Sequence, residues 1–364
     1  MYSESLNDAA MWLEVLRLSR VKPGETVCVL TGAASNERNF RAAMRASQEL
    51  GCTTFQLHIP PAAPIRTVGA DRTSFVGVTP LTGNRAAIET LKNVSFVADL
   101  MGLLHSPEQI EILKAGTRML MVLEPPEILA RMIPTEDDKR RVMACDARLR
   151  RAKTMKVTSA AGTDLVLPIG QFPSLPEYGY ADEPGHWDHW PSGFTSTWPN
   201  EGQGDGTVVI DVGDMLFPFK MYATSRITLR IERGLIRSIE GGFEAEYLKE
   251  YMASYNDPGA YGISHVGYGL QPRAKWTALQ MQHDKSRTLG MDGRSFYGNF
   301  LFSTGPNSEA GGRNNSPCHI DIPMRNCTVL LDGEAMVRDG DVVAADQRVA
   351  GAGPQTGVQL VAAE

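Results

Sequence analysis

Cysteine is scarce in this chain: five residues in 364, at positions 28, 52, 145, 318 and 327. They are odd in number, scattered, and include no Cys-x-x-Cys pair. That argues against a disulfide framework and a structural zinc site, and leads to the expectation of a reducing, cytoplasmic compartment. Long apolar runs are absent too; none approaches the roughly 20 residues that a membrane-spanning helix needs. The first residues, Met1-Tyr2-Ser3-Glu4, lack the basic-then-apolar layout of a signal peptide. Basic charge is in deficit, with 36 Lys and Arg against 42 Asp and Glu, a net charge of −6. Such a balance leaves no broad footprint for nucleic acid. The densest basic stretch, Lys139-Arg140-Arg141 continuing to Arg148-Leu149-Arg150-Arg151, is interrupted by acidic and apolar residues and reads as a solvated helix face. Neither Gly-x-Gly-x-x-Gly nor a P-loop follows the first strand, so Gly32 in Thr31-Gly32-Ala33-Ala34-Ser35 is assigned to a tight turn rather than to a nucleotide. There is no internal repeat and no low-complexity segment.

What is present is an ordinary globular composition, 42% hydrophobic and 21% charged, sufficient for a substantial core. Residues 1–152 alternate amphipathic helices (Asp8 to Ser19, Asn39 to Leu50) with short apolar strands at Thr26–Thr31, Thr53–Leu57, Phe96–Leu100 and Met119–Leu123. That alternation predicts an α/β domain, doubly wound around parallel strands. From 153 to 364 the texture changes. Short strands and turn glycines dominate (162–167, 206–211, 227–232), a helix is expected over 242–255, and Asp332-Gly333 between apolar runs signals a hairpin. The stretch 171–206, rich in Pro, Gly and Trp, reads as a long irregular loop of the sort that lines sites. A C-terminal mixed α+β domain is expected.

The chain has only seven histidines, so each can be weighed. In Cys318-His319-Ile320-Asp321-Ile322-Pro323, strand alternation puts His319 and Asp321 on one face and the isoleucines on the other. Two such side chains can reach one metal ion; the plainer alternatives are a solvated strand edge or an Asp that orients a histidine. His265, in Ile263-Ser264-His265-Val266-Gly267-Tyr268-Gly269, is the best candidate for a third ligand. Two imidazoles and one carboxylate with open positions favour non-haem Fe(II) and oxygen chemistry. His105 follows a strand end and precedes the helix-start signal Ser106-Pro107-Glu108, so it is either a site residue at the carboxyl end of a parallel sheet or a surface histidine beside a cap. His186 and His189 lie in the aromatic loop Gly185-His186-Trp187-Asp188-His189-Trp190 and are either ligands or packed loop residues. His58 and His283 have no such context.

The order of Gly162-Thr163-Asp164, His265-Val266-Gly267-Tyr268-Gly269-Leu270, His319-Ile320-Asp321 and the Asp332-Gly333 hairpin resembles the aminopeptidase T superfamily of metallopeptidases over most of the chain. The resemblance implies an N-terminal α/β domain and a C-terminal domain carrying the metal. Those peptidases bind two metals. Here their glutamate before the glycine-rich turn corresponds to His265, and their later histidine segment to Leu301-Phe302-Ser303-Thr304-Gly305, which has no histidine. In that departure the chain is similar to the offshoot of the fold that opens pyridine rings, the 2,5-dihydroxypyridine 5,6-dioxygenases. The likeness implies Fe(II) on His265, His319 and Asp321 and catalytic His105 and His189; Glu177 and Ser303 are added as candidate substrate contacts in the pocket. The likeness further implies 2,5-dihydroxypyridine and dioxygen as partners and a homo-oligomer, with no nucleic acid or membrane. The alternatives are a dinuclear aminopeptidase-like hydrolase, which needs a second metal, and a non-catalytic ligand-binding protein, which needs none.

Overall fold

The computed structural model describes residues 2–60, 79–281 and 288–350. Its first sheet has five parallel strands in the order Thr53–His58, Thr26–Thr31, Phe96–Asp99, Arg118–Met121 and Trp187–His189. Successive side chains feed opposite faces. Val27 and Val29 join one core with Trp12, Leu16, Ala43 and Val142, whereas Cys28 and Leu30 join another with Ile88, Leu91 and Ile112. Strands covered on both faces need continuous apolar runs, as in Thr26–Thr31, whereas the edge strand Thr53–His58 alternates Phe55-Gln56-Leu57-His58. The helix Glu37–Glu49 contributes Asn39, Ala42, Ala43, Ala46 and Ser47, the three-and-four spacing of one buried face. Asn36 caps it by accepting from the amides of Arg38 and Asn39. The doubly wound α/β expectation for this half holds.

The second half is antiparallel. An eight-stranded sheet runs in the order Leu235–Gly241, Ile227–Glu232, Asp205–Ile210, Asp164–Pro168, Thr154–Ser159, Cys327–Leu331, Glu334–Arg338 and Asp341–Val342. Its strands alternate buried and exposed residues, as in Ile227–Glu232, because one face meets water. Asp332 and Gly333 turn the hairpin with φ of 48° and 89°, the two left-handed residues of a type I′ turn. The helix Phe243–Ser254 packs on this sheet. A second antiparallel sheet, ordered Ile320–Met324, Phe300–Thr304, Ile263–Gly269, Phe194–Thr197 and Leu175–Glu177, is buried almost throughout.

Two expectations change here. Residues 171–206 are not one irregular loop: they hold the strands Leu175–Glu177, Trp187–His189 and Phe194–Thr197. All three have only three or four residues, so neither length nor periodicity announced them. Moreover, Trp187–His189 extends the first sheet alongside Arg118–Met121. The chain thus returns to the N-terminal sheet well after the change of texture at Lys153, and this strand brings the two sheets against one another.

Candidate active site

Three strands of the buried antiparallel sheet assemble a cluster of His265, His319 and Asp321. Phe300–Thr304 lies between the other two, with Ser303 opposite Asp321. On its other side the register slips: Ile263 faces Thr304, but Val266 faces Phe302. One extra residue is therefore inserted around Ser264 and His265. Such a bulge re-aims a side chain, and the Ser303 hydroxyl donates to the His265 carbonyl there at 2.5 Å. His319 immediately precedes its strand, and its Nδ1 donates to the Thr304 carbonyl at 2.9 Å. With Nδ1 so occupied, a neutral imidazole carries its lone pair on Nε2.

The two Nε2 atoms each lie 3.2 Å from Asp321 Oδ1, yet that buried oxygen accepts no hydrogen bond. Its partner Oδ2 accepts from Arg294 Nε at 2.6 Å. Two imidazole nitrogens and one carboxylate oxygen brought this close together can all reach a single ion. Among the described residues this is the one group of His, Cys, Asp and Glu donors found converging closely enough, all within 4.8 Å of one another, to hold a metal. Behind His265, Glu309 Oε1 faces Nδ1 at 3.7 Å.

The electrostatics agree. Burial alone would lower the His265 pKa, but Asp321 and Glu309 outweigh it and raise the group to about 10. Burial works against the Asp321 carboxylate, yet His319 and Arg294 hold it well below its ordinary range. Glu309 is likewise drawn down to about 2, against its burial, chiefly by His265. The pocket thus stabilises positive charge between these groups, and a cation held there would take the place of the His265 proton.

The cluster forms the floor of a cavity of about 440 Å³, an ordinary size for a small-molecule site. Leu104, His105, Met121, Trp187 and His189 line it from the first sheet and its loops. Glu177, Phe194, Trp198 and Arg294 close it from the other side. His105 lies in the loop after Phe96–Asp99, its ring centroid 5.5 Å from that of Trp187. Its pKa is lowered, first by burial, with Glu309 opposing. His189 ends its strand 3% exposed, with Nε2 buried and unpartnered; burial and then Arg294 push its pKa down to about 3. Glu177 is raised well above the usual carboxyl value by burial and by Asp188.

The family model described as NicX, 2,5-dihydroxypyridine 5,6-dioxygenase, matches residues 8–344. The chain belongs to this family. It is 55% identical over 337 residues to the 2,5-dihydroxypyridine 5,6-dioxygenase of Pseudomonas putida KT2440, covering 93% of this chain and 96% of that one. The solved structure of the 2,5-dihydroxypyridine dioxygenase from the same strain superposes with a TM-score of 0.92 at 54% identity, over 94% of this chain and 99% of that chain. Wild-type AmpT from Thermus thermophilus shares the fold at a TM-score of 0.60 and 16% identity, over 93% and 99% of the two chains.

Within this dioxygenase fold, His105, His189, Glu177, His265, His319 and Asp321 all meet at one cavity. Ser303 is not among the residues that line it, and its hydroxyl donates to the His265 carbonyl at the bulge. Trp187 and Trp198 are cavity walls, whereas Trp190 packs edge-on against Trp12 at 5.3 Å in the N-terminal core. His186 belongs to a separate network with Tyr178 and Asp182. His58 is exposed beside Thr31, and His283 lies outside the described residues. Sequence reasoning missed Arg294 and Glu309. Neither sits in a periodic or motif context, and each gains its role only from what lies opposite it.

Proposed function

We propose that this cavity opens 2,5-dihydroxypyridine between C5 and C6, placing both atoms of dioxygen in N-formylmaleamate, on a single Fe(II) held by His265, His319 and Asp321. The observation that carries this reading is the convergence of those three donors at the floor of an aromatic-walled cavity. Two imidazoles and a carboxylate form the facial set of non-haem iron(II) oxygenases and leave positions for further ligands. When bound, the iron supplies dioxygen activation and electron exchange with the ring.

The protein's own side chains bind, orient and move protons. His105, kept neutral by burial, accepts the proton of the substrate's 5-hydroxyl and later returns it. His189, also neutral, offers its unpartnered Nε2 to the substrate or to the oxygen being transferred. Glu177, whose carboxyl burial and Asp188 push well above the usual range, faces the pyridine's polar edge and exchanges a hydrogen bond with it. Trp187 and Trp198 cover the ring and exclude water. Arg294 holds one oxygen of Asp321 and leaves the other for the metal. The five cysteines are all unpaired, which supports a reducing, cytoplasmic setting.

Anaerobic reconstitution with Fe(II), followed by oxygen uptake and loss of ring absorbance, tests the reading. 2,5-Dihydroxypyridine is consumed with one dioxygen per ring; 2-hydroxypyridine, lacking the activating 5-hydroxyl, binds without consuming oxygen. Leucine amides stay intact with added Zn²⁺ or Co²⁺. Amine release without oxygen uptake would overturn the proposal in favour of a hydrolase.

A further inference from the structure

His105 adopts a backbone conformation that residues other than glycine rarely take, with φ of 52°. Two buried side chains hold the loop that leads to it. Asp99, at the end of its strand, accepts from the amides of Met101 and Gly102 at 2.9 Å and of Leu103 at 2.6 Å. From the other side comes Gln109, 2% exposed, in the first turn of the helix Pro107–Lys114. Its Oε1 accepts from the His105 amide at 2.6 Å, and its Nε2 donates to the Leu103 carbonyl at 2.6 Å. The carboxamide therefore brackets Leu104 and His105, two residues that line the cavity.

Helix capping does not require this arrangement. Ser106 is the cap, and its Oγ accepts from the Gln109 amide at 3.1 Å. In a capping box the glutamine side chain returns to the amide of the cap residue itself. Here it reaches one residue further back and adds a carbonyl beyond. The two bonds need one donor and one acceptor on a single planar group, which an amide has and a carboxylate or an apolar side chain lacks.

We propose that Gln109 is a positioning residue for His105, fixing the left-handed main chain that presents the imidazole to the cavity. This rests on the reading of His105 as the proton-transfer group. Without the carboxamide, the His105 amide and the Leu103 carbonyl lose their partner and the backbone relaxes toward negative φ. A misplacement of about 1 Å at a reacting group costs on the order of 10²-fold in rate.

The test compares Gln109→Met, Gln109→Glu, His105→Ala and the double variant Gln109→Met/His105→Ala, with iron content and thermal midpoint recorded for each. Gln109→Met keeps its iron and loses about 10–10²-fold in kcat, with KM little changed. Gln109→Glu, which retains the acceptor for His105, loses less. In the His105→Ala background the Gln109→Met change has no further effect, because residues acting through one group are not additive. A crystal structure of Gln109→Met shows His105 at negative φ. Full kcat in Gln109→Met, an equal loss in both backgrounds, or His105 still at positive φ in that crystal structure each overturns the clamp; Gln109→Leu, which likewise lacks both the donor and the acceptor, applies the same criteria if Gln109→Met fails to fold. If His105→Ala retains its full rate, the proton-transfer reading falls instead, while the crystal structure still decides whether Gln109 holds the loop.

Discussion

Asp321 serves two neighbours with two different oxygens. Oδ2 accepts from Arg294, and Oδ1 stands between the imidazoles of His265 and His319 without a hydrogen bond. A buried carboxylate oxygen in that state is costly unless a cation completes it. Asp321→Ala is therefore expected to lose iron and turnover together while remaining folded, as are His265→Ala and His319→Ala. Elemental analysis after anaerobic loading and desalting measures this, and full occupancy in Asp321→Ala would remove it from the ligand set. His189 gives a second prediction. Its imidazole titrates near 6.5 when unperturbed and near 3 in the folded protein, so between those values the unfolded chain binds the extra proton. Stability is thus present above about pH 6.5 and declines as pH falls toward 3. In metal-free protein, urea unfolding should lose roughly 2 kcal/mol from this group between about pH 6.5 and 4.5. In His189→Gln that part of the slope disappears; an unchanged slope would show that His189 is not buried neutral.

At the scale of elements, the bulge at Ser264–His265 and the glycines that follow it make the candidate ligand's strand unusual. Gly267 sits so close to the neighbouring strand that a Cβ would lie 2.1 Å from the Thr195 carbonyl oxygen. Backbone, unlike the end of a flexible side chain, cannot swing away. Gly267→Ala should therefore push apart the strands Ile263–Gly269 and Phe194–Thr197, which pair through Gly267 and Ser196. The expected cost is more than about 2 kcal/mol in chemical denaturation, together with weakened iron binding, since overpacking in a dense interior commonly costs 1–3 kcal/mol before any backbone clash is counted. A fully stable variant with normal iron content would show that this strand tolerates separation.

Across the whole molecule, the cavity exists because two differently built sheets face one another, and a few polar contacts hold them together. Arg131 of the first half forms a two-pronged pair with Asp292 at 2.7 Å and also donates to the Arg273 carbonyl at 2.6 Å. Fully buried Glu124 accepts from the Met291 amide at 2.9 Å, on the segment that brings Met291 and Arg294 to the cavity. Removing one partner of a buried pair leaves the other charge uncompensated. Arg131→Met should cost about 1–2 kcal/mol, because Arg131 is partly exposed and Asp292 keeps the Lys275 amide as a donor, and raise KM for the pyridine while leaving iron content intact, as read by denaturation, steady-state kinetics and metal analysis. Loss of iron instead would mean that the contact acts on the metal cluster rather than on the alignment of the halves.

The amino-acid sequence by itself determined the parallel sheet, whose doubly buried strands must be uninterrupted apolar runs, and the hairpin at Asp332-Gly333, whose two residues suit positive φ. It also placed His319 and Asp321 on one face, because the two-residue period of a strand is local. The pairing of His265 with them was a choice among few histidines rather than a deduction from period. What brings it there is a register slip against Phe300–Thr304. Only the tertiary structure decided that Trp187–His189 joins the first sheet, that Arg294 and Glu309 stand beside the candidate ligands, that the Ser303 hydroxyl bonds the His265 carbonyl at a bulge, and that Gln109 reaches back to His105. Periodicity reports which face of an element is buried; it carries no information about which distant strand will pair with it. Long polar side chains find their partners only when that pairing has been made.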